Sequence, residues 1–147
     1  MKPFLGKCGL TDLETVCVIR HPVDWLGSWY RYRARPAKIG SSNYTGDISF
    51  EEFVSAYCDD EHQTICKIGN PARFMGDGKD GFGVDHVFRY EQMPLLVAFF
   101  EDRLGTSLAL EQRNVSPKMP LTLPDDLRRR LEDTHPAMFE IWENAAR

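Results

Sequence analysis

Arg20 and Ser28 are the two side chains in this chain whose types and spacing best support chemistry, and they flank the segment Arg20-His-Pro22-Val-Asp24-Trp-Leu-Gly-Ser28. Ahead of them runs Val16-Cys-Val-Ile19, short, continuously apolar and mostly β-branched, the pattern of a strand covered on both faces. Pro22 stops such a strand and suits the first turn of a helix, where a missing N–H costs nothing. Arg20 is thereby placed at the carboxyl end of a strand, where open α/β sheets bind ligands. Its planar guanidinium matches two phosphate oxygens at once, and Ser28 adds a hydroxyl donor from the side of the following helix. An anion, most simply a phosphate, fits this lateral clamp. The structural alternative is that Arg20 pairs with Asp24 or another carboxylate, while Ser28 is merely small enough for close helix packing.

Other reactive residue types carry less. Cys58, His62 and Cys66 are spaced by four, which on one continuous helix would align three metal-capable side chains, but no fourth ligand accompanies them and no metal is expected. The four cysteines, Cys8, Cys17, Cys58 and Cys66, include no Cys-x-x-Cys pair and read as reduced thiols. Residues 69–83 hold glycines at 76, 78, 81 and 83 and read as an irregular stretch, with Arg73 and Lys79 as secondary candidates for ligand contact.

The elements that must position these groups follow from periodicity and punctuation. A helix from Pro22 to about Arg33 carries Trp25, Trp29 and Tyr32 on one stripe, expected to be core or a stacking surface for a base. Residues 34–46 are loop by composition, and Ser49 with Glu52 is a capping box opening a helix through about Tyr57. A second strand follows residues 69–83 and runs into Tyr90-Glu91. Pro94 and Gly105 then bracket a helix apolar almost all round, expected to be buried. Pro124 with Asp125 and Asp126 opens a further helix, whose Arg128, Arg129 and Arg130 read as a solvated face, and Pro136 starts a last one through Trp142. The order is strand, helix, helix, strand, helix, helix, helix, with the strands parallel through a crossover.

The pattern Arg-x-Pro-x-Asp with Ser at the eighth position resembles the 3′-phosphate-binding segment of the sulfotransferases that use 3′-phosphoadenosine 5′-phosphosulfate (PAPS). Val84-Asp-His-Val-Phe-Arg-Tyr90-Glu91 resembles that family's strand ending in Tyr-Glu, the segment from Pro94 to Gly105 resembles the helix after it, and Arg113-Asn-Val-Ser-Pro117 resembles a stretch near the C-terminus of bacterial and heparan-type members. The resemblance spans roughly residues 13 to 120. It implies that Arg20 and Ser28 hold the 3′-phosphate of PAPS, the sulfate donor, and that the fold is α/β, a partial P-loop nucleotide-binding type with a small parallel sheet and many helices. Members of the family open with a strand, a Gly/Ser/Thr-rich loop carrying a lysine, and a helix. Here the first βα unit has no counterpart, because Phe4-Leu-Gly6-Lys7-Cys-Gly9 reads as a helix end with a Gly cap. No catalytic residue is assigned: His62 and His86 match no family base, and Glu91 matches a mainly structural position. The implied function is binding of PAPS and, in a complete enzyme, sulfate transfer to a hydroxyl or amine acceptor. The alternative is a non-catalytic nucleotide-binding or protein-interaction module derived from the same fold.

Bulk properties set the frame. At 147 residues, 42% hydrophobic and 27% charged, the chain reads as one domain over residues 1–147, with enough apolar content for a core. A net charge of -4 argues against non-specific nucleic-acid binding, and no apolar run reaches membrane-spanning length, so the default location is cytoplasmic. Two parallel strands alone make a poor sheet, which predicts either extra pairing in a homodimer or a largely helical protein with a minimal sheet.

Overall fold

The computed structural model describes residues 12–75, 83–111 and 119–146. Strand β1 (Val16–Ile19) is followed by α1 (Pro22–Arg33), a 3₁₀ turn (Pro36–Lys38), α2 (Phe50–Asp59) and the short α3 (Pro71–Met75). Then come β2 (His86–Arg89), a second 3₁₀ turn (Tyr90–Gln92), α4 (Met93–Leu104), α5 (Asp125–Thr134) and α6 (Pro136–Asn144). The protein is mixed α/β and mostly helical, with a small parallel sheet. It divides into two compact units, one formed by the described residues of 1–21, 70–111 and 140–147, the other by those of 22–69 and 112–139.

The first unit holds the sheet. β1 and β2 pair in parallel with Val16 opposite His86 and Ile19 opposite Arg89. Their amino ends are tied by a reciprocal side-chain exchange: the Thr15 N–H and hydroxyl both donate to Asp85 Oδ2, at 3.0 and 2.8 Å, while the Asp85 N–H donates to Thr15 Oγ1 at 2.9 Å. On its other side β2 gains a single bridge, Phe88 to Ala146, with the Ala146 N–H donating to the Val87 carbonyl at 2.9 Å. Phe99 of α4 packs on Phe88, ring centroids 5.1 Å apart. Gly105 ends α4 at φ 62°, a left-handed cap that a residue without Cβ adopts freely.

Two burial expectations fail here. β1 is not covered on both faces: Ile19 is buried, Val16 and Cys17 are half-buried, and Val18 is exposed. α4 is not buried all round either; Leu96 is its one buried residue, while Leu95 and Leu104 are exposed. A two-stranded sheet offers too little surface to cover a helix on every side, so composition overstated the burial. Within residues 69–83, Pro71–Met75 form a helical turn where an irregular stretch was expected, and Lys79 lies outside the described residues.

The second unit is a helical cluster. α1 buries Leu26, Gly27, Tyr30 and Arg33. The core stripe therefore runs beside the expected Trp25, Trp29 and Tyr32, which are half-buried or exposed. The Tyr30 hydroxyl donates to the Ile48 carbonyl at 2.8 Å, and its ring meets Phe50 and Phe53. Buried Thr45 returns a hydroxyl bond to the Tyr30 carbonyl at 2.7 Å. Gly27 allows close approach, since a Cβ there would meet Leu121 Cδ1 at 3.1 Å. The Arg33 guanidinium, at the end of α1, donates to the Ile65 and Lys67 carbonyls at 2.7 Å each and ties down the chain after α2. Burial pushes this guanidinium down from its ordinary value, with nearby Cys66 acting in the opposite direction. The capping box forms as expected: the Ser49 N–H donates to Glu52 Oε2 at 2.7 Å, and the Glu52 N–H donates to Ser49 Oγ at 3.1 Å. α5 packs on α2 with Leu131 fully buried, and its Arg130 binds Ser55 and Asp59.

Candidate functional site

Parallel pairing brings the carboxyl ends of β1 and β2 to the same edge of the sheet in the first unit, so Arg20 and His21 emerge next to Tyr90 and Glu91. The Arg20 guanidinium carbon lies over the Tyr90 ring, 3.8 Å from its centroid. Among the described residues Arg20 makes no hydrogen bond and no ion pair, so the carboxylate partner of the structural alternative is not there. The side chain is half-buried, and its N–H donors remain available to a ligand.

Glu91 ties this edge together. Its Oε1 accepts the His21 N–H at 2.9 Å, and its Oε2 accepts the Trp142 indole N–H at 3.1 Å. Partial burial pushes the Glu91 carboxyl up, but the bonds from His21 and Trp142, with the charge of His21, outweigh that and hold it below the usual carboxylate range. The His21 ring stands edge-on to Trp142, with centroids 4.7 Å apart.

Arg89 is the instructive contrast. Like Arg20 it ends an apolar strand and lies over an aromatic ring, here Trp142 at 3.9 Å. Its donors, however, are used: Nε donates to the Trp142 carbonyl and Nη2 to the Glu143 carbonyl, both at 2.9 Å. Arg89 is buried and caps the end of α6, so it is structural, whereas Arg20 is presented. Sequence reasoning missed Arg89, His21 and Trp142 as parts of this edge. One signal was present, the repetition of an apolar run ending in arginine at Val18-Ile-Arg20 and Val87-Phe-Arg89.

The expected pair divides between the two units. Ser28 sits on α1 in the second unit, half-buried and without a hydrogen bond among the described residues, and Asp24 on the same helix is exposed. The other candidates disperse. α2 ends at Asp59, which leaves Cys58 on the helix and His62 and Cys66 on the turns beyond it. Cys66 Sγ donates to the Asp60 carbonyl at 3.3 Å, and burial pushes both the Cys58 and Cys66 thiols up, away from the thiolate a metal requires. No group of three metal-capable side chains occurs among the described residues. His86 pairs with Glu14 at 3.3 Å at the opposite, amino end of the strands, and His62 is exposed. Arg73 is exposed on α3, while Cys8, the segment from Phe4 to Gly9 and the segment from Arg113 to Pro117 lie outside the described residues.

Among the described residues no helix is long and apolar enough to cross a membrane. Comparison with known protein families, with curated proteins and with solved structures finds no match for this chain.

Proposed function

We propose that this chain is a sulfotransferase-family protein that binds the 3′-phosphate of PAPS through Arg20, and that in a complete enzyme it serves sulfate transfer to a hydroxyl or amine. The observation that carries this reading is the state of Arg20: a cation at the carboxyl end of a parallel strand, backed by an aromatic ring, with no hydrogen-bond or ion-pair partner among the described residues. A guanidinium in that condition suits a phosphate with two in-plane donors.

A specific observation favours the second reading, a non-catalytic nucleotide-binding or interaction module. Glu91, the carboxylate beside Arg20, has both oxygens engaged and an acidity raised by its donors, which makes it a poor proton acceptor. Titration calorimetry with 3′,5′-adenosine bisphosphate tests the binding common to both. Loss of a charge-assisted bidentate contact in Arg20→Ala is expected to weaken affinity by about tenfold or more. Equal affinity in the variant and the parent rejects the clamp. Where binding holds, transfer of labelled sulfate from PAPS to a panel of hydroxyl and amine acceptors separates enzyme from module.

A further inference from the structure

The Arg20–Tyr90 stack deepens the anion-binding reading, on which the following inference rests. A long arginine side chain at a strand end has many rotamers, and fixing it costs conformational entropy. A ring beneath the guanidinium carbon attracts the charge without consuming an N–H donor, unlike a carboxylate or a carbonyl. Tyr90 is placed for this by two neighbours. Arg89, immediately before it, is fixed by its bonds to the Trp142 and Glu143 carbonyls, and Glu91, immediately after it, is fixed by His21 and Trp142. The His21 N–H that Glu91 holds belongs to the residue following Arg20, so the same carboxylate anchors the backbone on both sides of the stack. Tyr90 itself is half-exposed, at 49%, and makes no hydrogen bond among the described residues. Its placement is otherwise unexplained, because an exposed ring contributes little to a core.

We infer that Tyr90 is a positioning residue: its ring holds the Arg20 guanidinium in place, with donors free, for an oxyanion at the carboxyl edge of the β1–β2 pair. The ring, not the hydroxyl, performs this, so phenylalanine substitutes for it and leucine does not.

Two measurements test the inference. In ¹⁵N-labelled protein, the Arg20 Nε–H resonance, assigned by its absence in Arg20→Met, is expected to carry a ring-current shift and restricted motion. Tyr90→Phe keeps both, and Tyr90→Leu abolishes both while leaving the thermal midpoint near that of the parent. In calorimetry with 3′,5′-adenosine bisphosphate, Tyr90→Phe stays within about twofold of the parent, and Tyr90→Leu binds roughly two- to fivefold more weakly, as an exposed cation–π contact implies. An Arg20 resonance unmoved in Tyr90→Leu overturns the inference whether or not nucleotide binds, as does parental affinity in that variant. A parent protein with an ordered, shifted Arg20 resonance and no heat of nucleotide binding instead rejects the PAPS reading and leaves the platform standing.

Discussion

Exchanging Arg20 and Arg89 each for methionine should separate function from stability at one sheet edge. Arg89 makes two bonds from a charged donor to backbone carbonyls and lies over Trp142. Bonds of that kind contribute about 1.5–3 kcal/mol each and a partly desolvated cation–π contact ~1–2 kcal/mol. Glu143 is exposed, so water replaces part of what is lost, and a net cost of roughly 2–3 kcal/mol is reasonable for Arg89→Met. For a chain of this size that lowers the thermal midpoint by about 10 °C. Among the described residues Arg20 contributes only the Tyr90 contact, which a methionine sulfur partly restores, so Arg20→Met should change stability by less than about 0.5 kcal/mol. Urea titration followed by tryptophan fluorescence measures both values, and calorimetry with 3′,5′-adenosine bisphosphate measures the loss of affinity that Arg20→Met is expected to show. A destabilisation of Arg20→Met matching that of Arg89→Met would refute the distinction between a presented and a committed arginine.

Further outcomes follow from other parts of the molecule. Arg33→Met orphans the Ile65 and Lys67 carbonyls and should cost about 2–3 kcal/mol in urea titration, whereas Arg33→Lys, able to serve one carbonyl, should cost about half as much. The Glu91 carboxyl is held below its unfolded value, so its stabilising effect is complete above the unfolded value and is lost as pH falls through the folded one; urea midpoints between pH 7 and pH 3 should decline less steeply in Glu91→Gln. Ser49→Ala removes one half of the capping box and should lower stability by ~1 kcal/mol, read by the same titration. Cys58 and Cys66, both buried with thiols pushed up, should resist an aromatic disulfide reagent at pH 7 and react together when urea unfolds the chain.

The features legible in the sequence were those fixed by local chemistry. Pro22 opening α1, the Ser49–Glu52 box, Pro94 and Gly105 around α4, and the parallel relation of two apolar runs each depend on a few adjacent residues or on a topological rule. Burial was less legible. The apolar composition of α4 says what the helix would tolerate, not how much surface a two-stranded sheet offers it. On α1 the aromatic stripe drew attention from the adjacent Leu26, Tyr30 and Arg33, because a buried arginine gives no hydrophobic signal. Its burial depends on two carbonyls more than thirty residues away, which no local pattern encodes.

The same distance effect decides the two strand-end arginines. Their local sequences are nearly interchangeable, an apolar run, an arginine, then an aromatic or imidazole ring. What separates them, among the described residues, is the end of α6, which delivers the Trp142 and Glu143 carbonyls to Arg89 and leaves Arg20 with a ring alone. Trp142 takes part four times: its ring lies under Arg89 and meets the His21 ring edge-on, its carbonyl accepts from Arg89, and its indole N–H holds Glu91. Glu91 in turn fixes the residue after Arg20. The availability of Arg20 is therefore a property of a residue more than a hundred positions away in sequence. It follows that Trp142→Phe, which keeps a ring but removes the N–H, should loosen Glu91 and weaken binding of 3′,5′-adenosine bisphosphate in calorimetry, while urea titration shows most of the stability that Arg89 contributes to be spared.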